Sequence, residues 1–250
     1  MVPAVLLGGK DNFAADRDQA ARLLAVYPRA ADLARESRQF QARAVTYVAG
    51  AGIRQFLDLG CGLPTAPSTH QTAHAIQPGA AVVYVDNDEQ VMSHAHNILA
   101  RTPGVLAVAG DLTHPGEILY DWRIREVLDF RQPLCLLLTM TLHFFSAETA
   151  RAITGQLIAG VPGGSYLIVS VGHLDGRAGR QFTSQYDPAD LHHHTRADVA
   201  SFLADLDLID PGITDARAWR APRVIPSDSR RGHIWAAVAR KPAPADAGRP

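Results

Sequence analysis

Three carboxylates stand at similar places in three similar stretches of this chain. FLDLGCGLPT, from Phe56 to Thr65, carries Asp58 near the end of an apolar run and then breaks at Gly60 and Gly62; VVYVDND delivers Asp86 with Asn87; VLAVAGD ends at Asp111, followed by Leu112. A strand feeding a Gly-x-Gly turn lets a ligand lie against bare backbone, because no Cβ blocks its approach. An acid at the end of each of three successive strands adds hydrogen-bond acceptors along one edge of an open sheet. Hydroxyls and amines of a nucleoside suit such acceptors. Any one of the three is an ordinary turn or N-cap aspartate. Together, and in register with the glycine turn, they favour a nucleotide-type cofactor.

A nicotinamide dinucleotide fits less well. Its fingerprint needs Gly or Ala where Thr65 stands, and Pro67 delays the following helix. An acid about 20 residues past the turn serves NAD too, so Asp86 does not discriminate. Asp58 before the turn and Asp111 after it do.

The pattern resembles that of class I S-adenosylmethionine-dependent methyltransferases. The resemblance implies that Asp58, Gly60, Cys61, Gly62, Pro64 and Thr65 hold the methionine end of S-adenosyl-L-methionine. Asp86 and Asn87 would take the ribose, and Asp111 and Leu112 would sit beside the adenine, with Thr139 on the pocket wall. Pro64 replaces the usual third glycine. A narrower likeness accounts for it. LLGGKDNFAADRDQA (6–20), GLPT (62–65), LTMTLHF (138–144), PGGSYLIVS (162–170) and DLIDPGI (207–213) are similar to the bacterial family called S-adenosyl methyltransferase, over about 6–241. Members usually carry a Tyr-Asp-Tyr-like stretch before the LGG, where this chain begins Met1-Val2-Pro3-Ala4-Val5.

The acceptor side is less legible. LGGKDNF reads either as a helix entry capped by Asp11 or Asn12, or as a lid; the family likeness favours a lid, with Asn12 and Phe13 lining the substrate site. His143 follows the fourth strand in TLHFF and is the candidate general base, since imidazole titrates near neutrality; a packed residue beneath the pocket reads equally well. Met140 and His173 are candidate substrate contacts, Asp175 a weaker one, and Tyr186 and Trp219 either border the pocket or belong to the core. The run His192-His193-His194 does not converge on one ion, because adjacent side chains diverge. A solvated segment is expected there, and no metal.

The elements that must position these residues alternate. Strands are expected near 53–59, 81–85, 105–109, 134–139 and 165–171, with helices near 68–76, 89–101, 115–129 and 147–159, and Ser68, Asp88 and Ser146 as N-caps. Alternation argues for a parallel sheet covered on both faces, and the nearly all-apolar fourth and fifth strands for its centre. Helices near 12–26 and 32–49 precede the first strand; Leu33, Phe40, Ala44 and Val48 form a stripe interrupted by Ser37. A capping box at Thr195–Asp198 opens a helix to about 206. Strands near 208–215 and 233–239 would close the sheet as an antiparallel hairpin. The expected architecture is a Rossmann-like α/β fold with a mostly parallel seven-stranded sheet. Its division is an N-terminal helical lid or extension (1–50), a cofactor-binding domain (51–241) and a disordered tail (242–250).

The 250 residues, 47% hydrophobic, suffice for one substantial core. A net charge of −1 gives no footprint for nucleic acid or an acidic membrane. No apolar run approaches the ~20 residues that span a bilayer, and no signal peptide is evident. Two isolated cysteines suit a reduced, cytoplasmic protein. The expected function is methyl transfer from S-adenosylmethionine to a small molecule, with secondary metabolism as one setting. The altered N-terminus keeps a second reading open: a cofactor-binding protein without methyl transfer, regulatory or using the cofactor's charge to assist a cyclisation. Nothing in the sequence fixes the oligomeric state.

Overall fold

The structure, a computed structural model, describes residues 5–8, 14–63, 66–99, 102–173, 191–223 and 233–243. Helices α1 (Ala14–Val26) and α2 (Ala30–Gly50) precede the sheet. There follow β1 (Gln55–Leu59), α3 (Thr69–Ile76), β2 (Ala81–Asp86), α4 (Glu89–Leu99), β3 (Val105–Ala109), α5 (Pro115–Tyr120), α6 (Trp122–Val127) and β4 (Cys135–Thr139). A 3₁₀ turn (Leu142–Phe144), α7 (Ala147–Ala159), β5 (Tyr166–His173), α8 (Arg196–Phe202), β6 (Asp207–Leu208), β7 (Thr214–Asp215) and β8 (His233–Arg240) complete the order.

The strands lie in the order β3-β2-β1-β4-β5-β8-β6, with β7 also on β8. β1 to β5 are parallel, and β8 runs antiparallel between β5 and the two short strands. This is a Rossmann-like sheet of eight strands rather than seven, and Pro211 accounts for the difference. Ile209 still donates to Val238 at 2.9 Å, but Pro211 has no N–H to offer the ladder. The chain turns away and rejoins β8 at Thr214, opposite Ala236. One expected strand is therefore two. The helix expected over 115–129 also divides. Asp121 ends α5, and its carboxylate accepts from Arg123 N at 2.8 Å to cap α6.

Alternate residues of each strand serve opposite layers. Phe56, Val82, Tyr84, Leu137 and Ile168 pack under α2, while Leu57, Val83, Val85, Leu136 and Leu138 pack against Ile153 and Leu157 of α7. α2 belongs wholly to the first layer: Phe40, Ala44, Val45, Val48 and Ala49 are fully buried. Arg43 pins it by donating to the carbonyls of Trp219 (2.8 Å) and Ala216 (2.6 Å). Trp219 itself is core, edge-on to Phe40 and Tyr47. α1 is different. Ala20 and Leu23 make only a small satellite cluster with Val5 and Leu6.

Candidate functional site

Sheet order reverses at β1, which has β2 on one side and β4 on the other, so the loops after these strands diverge and leave a crevice. The chain meets it with Gly60 (φ 67°) and Gly62 (φ 59°), both in the left-handed region. The two glycines serve different needs. A Cβ on Gly60 would stand 2.4 Å from Thr141 Cγ2, whereas one on Gly62 would meet nothing within 4 Å. Gly60 is thus glycine for packing, and Gly62 presents backbone to open space. Asp86 fastens the turn: one carboxylate oxygen accepts from Gly62 N (2.8 Å) and the other from Asp88 N (3.1 Å).

A cavity of about 780 Å³ runs along this edge. Gly60, Cys61, Gly62, Asp86, Asn87, Asp111, Leu112 and Thr139 line it, with Met140 and His143. Burial raises the Cys61 thiol well above its ordinary value, and Asp58 and Asp86 nearby add to this, which disfavours a thiolate there. Asp111 accepts from Thr113 N at 2.8 Å, which holds its carboxyl below the usual range.

Asp58 stands apart from the lining, buried beneath the turn. Its Oδ2 accepts from Thr69 Oγ1 (2.6 Å) and from Gln41 Nε2 (3.2 Å), while Oδ1 is buried with no hydrogen-bond partner. Burial pushes its pKa up to about 6, against the Thr69 hydrogen bond and the Arg38 charge, which lower it. Gln41 also donates to Thr69 Oγ1 (2.9 Å) and accepts from Arg38 Nη1 (3.1 Å). Arg38, Gln41 and Ser37 all line the cavity from α2. The sequence reading passed over Arg38 and Gln41. A signal was present: Ser37 interrupts the apolar stripe, Gln41 stands one turn on, and both are buried.

At the other end of the cavity are Phe144, Phe145, Leu191, His192 and His193. Met140 reaches it in a left-handed conformation (φ 56°), fixed by its N–H on Ser170 O at 2.8 Å. The His143 ring lies 4.5 Å from that of Phe144, and its Nδ1 is buried without a hydrogen-bond partner. Burial drives the imidazole's pKa down to about 3, helped by His194 and His193, so it is neutral at pH 7. The expected solvated triplet holds for His192 and His193, which are exposed. His194 is buried, donating to Leu142 O at 3.0 Å with its ring edge-on to Phe202. His173 does not line the cavity; it bonds to His194 O at 2.8 Å and packs on His233 and Trp235. Asn12, Phe13, Pro64, Thr65, Asp175 and Tyr186 lie outside the described residues. Among the described residues no group of three or more His, Cys, Asp or Glu gathers to hold a metal ion, and no helix is long and apolar enough to cross a membrane.

Residues 2–242 match the family model described as S-adenosyl methyltransferase. Two solved structures are similar over almost the whole chain. One is a candidate methyltransferase from Thermobifida fusca YX, 33% identical, covering 97% of this chain and 94% of that one, with a TM-score of 0.90. The other is a DUF574 family protein from Streptomyces avermitilis MA-4680, 32% identical, covering 96% of each, with a TM-score of 0.89. The magnesium protoporphyrin IX methyltransferase of Synechocystis PCC 6803, solved with S-adenosylhomocysteine, is 15% identical and covers 96% of this chain and 93% of that one. Its TM-score of 0.54 is a likeness of fold. No curated protein matches the chain. The full-length family match and the two near-complete relatives agree with a glycine turn and acids set along the switch-point crevice: the chain belongs to the S-adenosyl methyltransferase family and is an S-adenosylmethionine-dependent methyltransferase.

Proposed function

We propose that the cavity holds S-adenosylmethionine across the ends of β1, β2 and β3, and that the space beyond it receives a small-molecule methyl acceptor. The observation that carries this reading is one continuous cavity running from Asp111 and Asp86, past the bare backbone of Gly62, to His143 and Phe144. Its volume falls in the ~300–1,000 Å³ range of small-molecule sites. In this reading Asp86 accepts the ribose hydroxyls, Asp111 and Leu112 flank the adenine, and Gly60, Cys61 and Gly62 run beside the amino-acid end. Asp58 acts from behind the turn. Val5 to Gly8 and α1 serve as the cover, since Leu6 and Leu7 line the cavity.

When bound, the cofactor supplies a methyl group on a sulfonium, open to in-line displacement by a nucleophile. Such a displacement depends mainly on positioning, which can supply ~7–11 kcal/mol of the barrier. His143 is the candidate catalytic group. A neutral imidazole there can accept a hydrogen bond from an acceptor O–H or N–H and orient it. Burial that disfavours the imidazolium makes it poor at keeping a proton, so an acceptor that is already nucleophilic suits this site best. Met140 and Phe144 would form the apolar wall. Buried, unpaired Cys61 and Cys135 support a reduced cytoplasmic setting, and secondary metabolism is the setting proposed for the acceptor.

Two measurements test the reading. Calorimetric titration should show S-adenosylhomocysteine binding and no comparable NAD binding, with Asp86→Ala weakening it about tenfold or more. With methyl-labelled cofactor and a cell extract, label should appear in low-mass product together with S-adenosylhomocysteine. Label confined to protein or nucleic acid would sink the small-molecule reading, and selective NAD binding would sink the cofactor.

A further inference from the structure

Among the described lining residues Arg38 is the only lysine or arginine, set against the carboxylates of Asp16, Asp86, Asp88 and Asp111. It is partly buried. Among the described residues its one hydrogen-bond partner is Gln41, and no described carboxylate lies within ion-pair distance. A guanidinium carries five N–H donors in a fixed fork, so most of this one is uncommitted.

Its direction is fixed from behind. Gln41 Nε2 donates to both Asp58 Oδ2 and Thr69 Oγ1, while the Thr69 hydroxyl donates to Asp58. A flipped amide would set Oε1 against a carboxylate oxygen, two acceptors face to face. The amide therefore points Oε1 at Arg38, and the buried Asp58 holds the guanidinium through one intervening side chain. Gln41 and Asp58 are positioning residues here. A guanidinium with most of its donors uncommitted among the described residues, in a largely acidic cavity yet tethered on one side, is built to meet an anion.

We infer that Arg38, held by the Asp58–Gln41 pair, is the receptor for the α-carboxylate of S-adenosylmethionine. The proposed cofactor carries two positive groups, the sulfonium and the α-ammonium, and that carboxylate as its one anion. The described lining has the complementary pattern, several acids and one arginine. Place agrees with charge: Gln41 bonds to Asp58, two residues before Gly60, so the arginine stands on the β1 side of the cavity, away from Asp111. The inference rests on the cofactor reading above, and the test separates the two.

The test compares two nucleosides by calorimetry. S-Adenosylhomocysteine has the amino-acid end; 5′-methylthioadenosine keeps adenine, ribose and thioether and lacks it. In Arg38→Met, affinity for S-adenosylhomocysteine should fall about tenfold or more while that for methylthioadenosine holds. Arg38→Lys should recover part of the loss, as a point charge without the fork. Gln41→Met should show the same selectivity with a smaller loss, which a merely structural role would not produce. Unchanged S-adenosylhomocysteine affinity in Arg38→Met, or equal weakening of both nucleosides, overturns the assignment. A parent protein that binds neither nucleoside overturns the cofactor reading itself and this inference with it.

Discussion

Asp58 and Gly60 are two residues apart and do unlike work. Asp58 is a buried acid whose hydrogen bonds all go to one oxygen, so Oδ1 is the place for a proton. Burial raises its folded pKa to about 6, above the ~3.9 of an unfolded aspartate. The native state then takes up a proton before the unfolded state does. Stability on this account rises as pH falls from about 6 to about 4, and is lost again as pH climbs through the same window, at up to ~1.4 kcal/mol per pH unit. Asp58→Asn keeps an acceptor for Thr69 and removes the titration. Urea melts from pH 4 to 7 should show the parent losing stability relative to the variant as pH rises; parallel curves would mean Asp58 titrates normally. At Gly60 the constraint is steric. Gly60→Ala adds a left-handed alanine and a methyl 2.4 Å from Thr141 Cγ2, so a loss of about 1–3 kcal/mol is expected. Thr141→Ala in the same chain should return part of it, because the clashing methyl and hydroxyl are gone. A double variant no more stable than Gly60→Ala alone would place the cost elsewhere.

The proposed cover and the floor of the cavity are helices of very different standing. Among the described residues α1 buries Ala20 and Leu23, packed with Val5 and Leu6, so little apolar burial resists its opening. Leu6 and Leu7 also line the cavity, which couples this unit to whatever fills it. Hydrogen exchange in Val5–Gly8 and α1 should be fast in the free protein and slow when S-adenosylhomocysteine is added, while exchange in β1, β4 and β5 stays slow throughout. Indifference of α1 to the ligand would make it a static strap. At this scale much was legible beforehand. Leu134–Leu138 and Leu167–Val169 are apolar on both faces, and only a central strand tolerates that. The places where pattern failed depended on contacts distant in sequence. Whether Asp58 faces the ligand or sits behind the turn is decided by Gln41, seventeen residues earlier, and by Thr69, eleven later. His194 looks like its two neighbours until Leu142 and Phe202 enclose it. Pro211 was visible, but its effect on the β8 ladder needed the register to be known.

For the whole molecule, the question is where the cover ends and the catalytic body begins. A boundary at residue 50, just before the first strand, follows from counting strands. Packing places α2 inside the body: Phe40, Val45 and Val48 are fully buried against Phe56, Tyr84, Ile168 and Trp219, and Arg43 ties the helix to the segment before β8. Each fully buried apolar side chain of that size is worth ~1.5–3 kcal/mol. Three of them are already comparable with the ~5–15 kcal/mol net stability of a whole domain. α2 also brings Arg38 and Gln41, so losing it removes part of the site as well as part of the core. Two truncations should therefore behave oppositely. Removing residues 1–26 takes away α1 and its satellite cluster; the remainder should unfold cooperatively in urea at nearly the parent midpoint, bind S-adenosylhomocysteine more weakly, and turn over far more slowly. Removing residues 1–50 strips one face of the sheet and should leave a chain without a cooperative transition. A 51–250 fragment that melts cooperatively would show that the sheet and its second layer hold themselves together, and that α2 is an accessory to the site. Loss of folding on removing only 1–26 would give α1 a structural weight that its two buried residues do not explain.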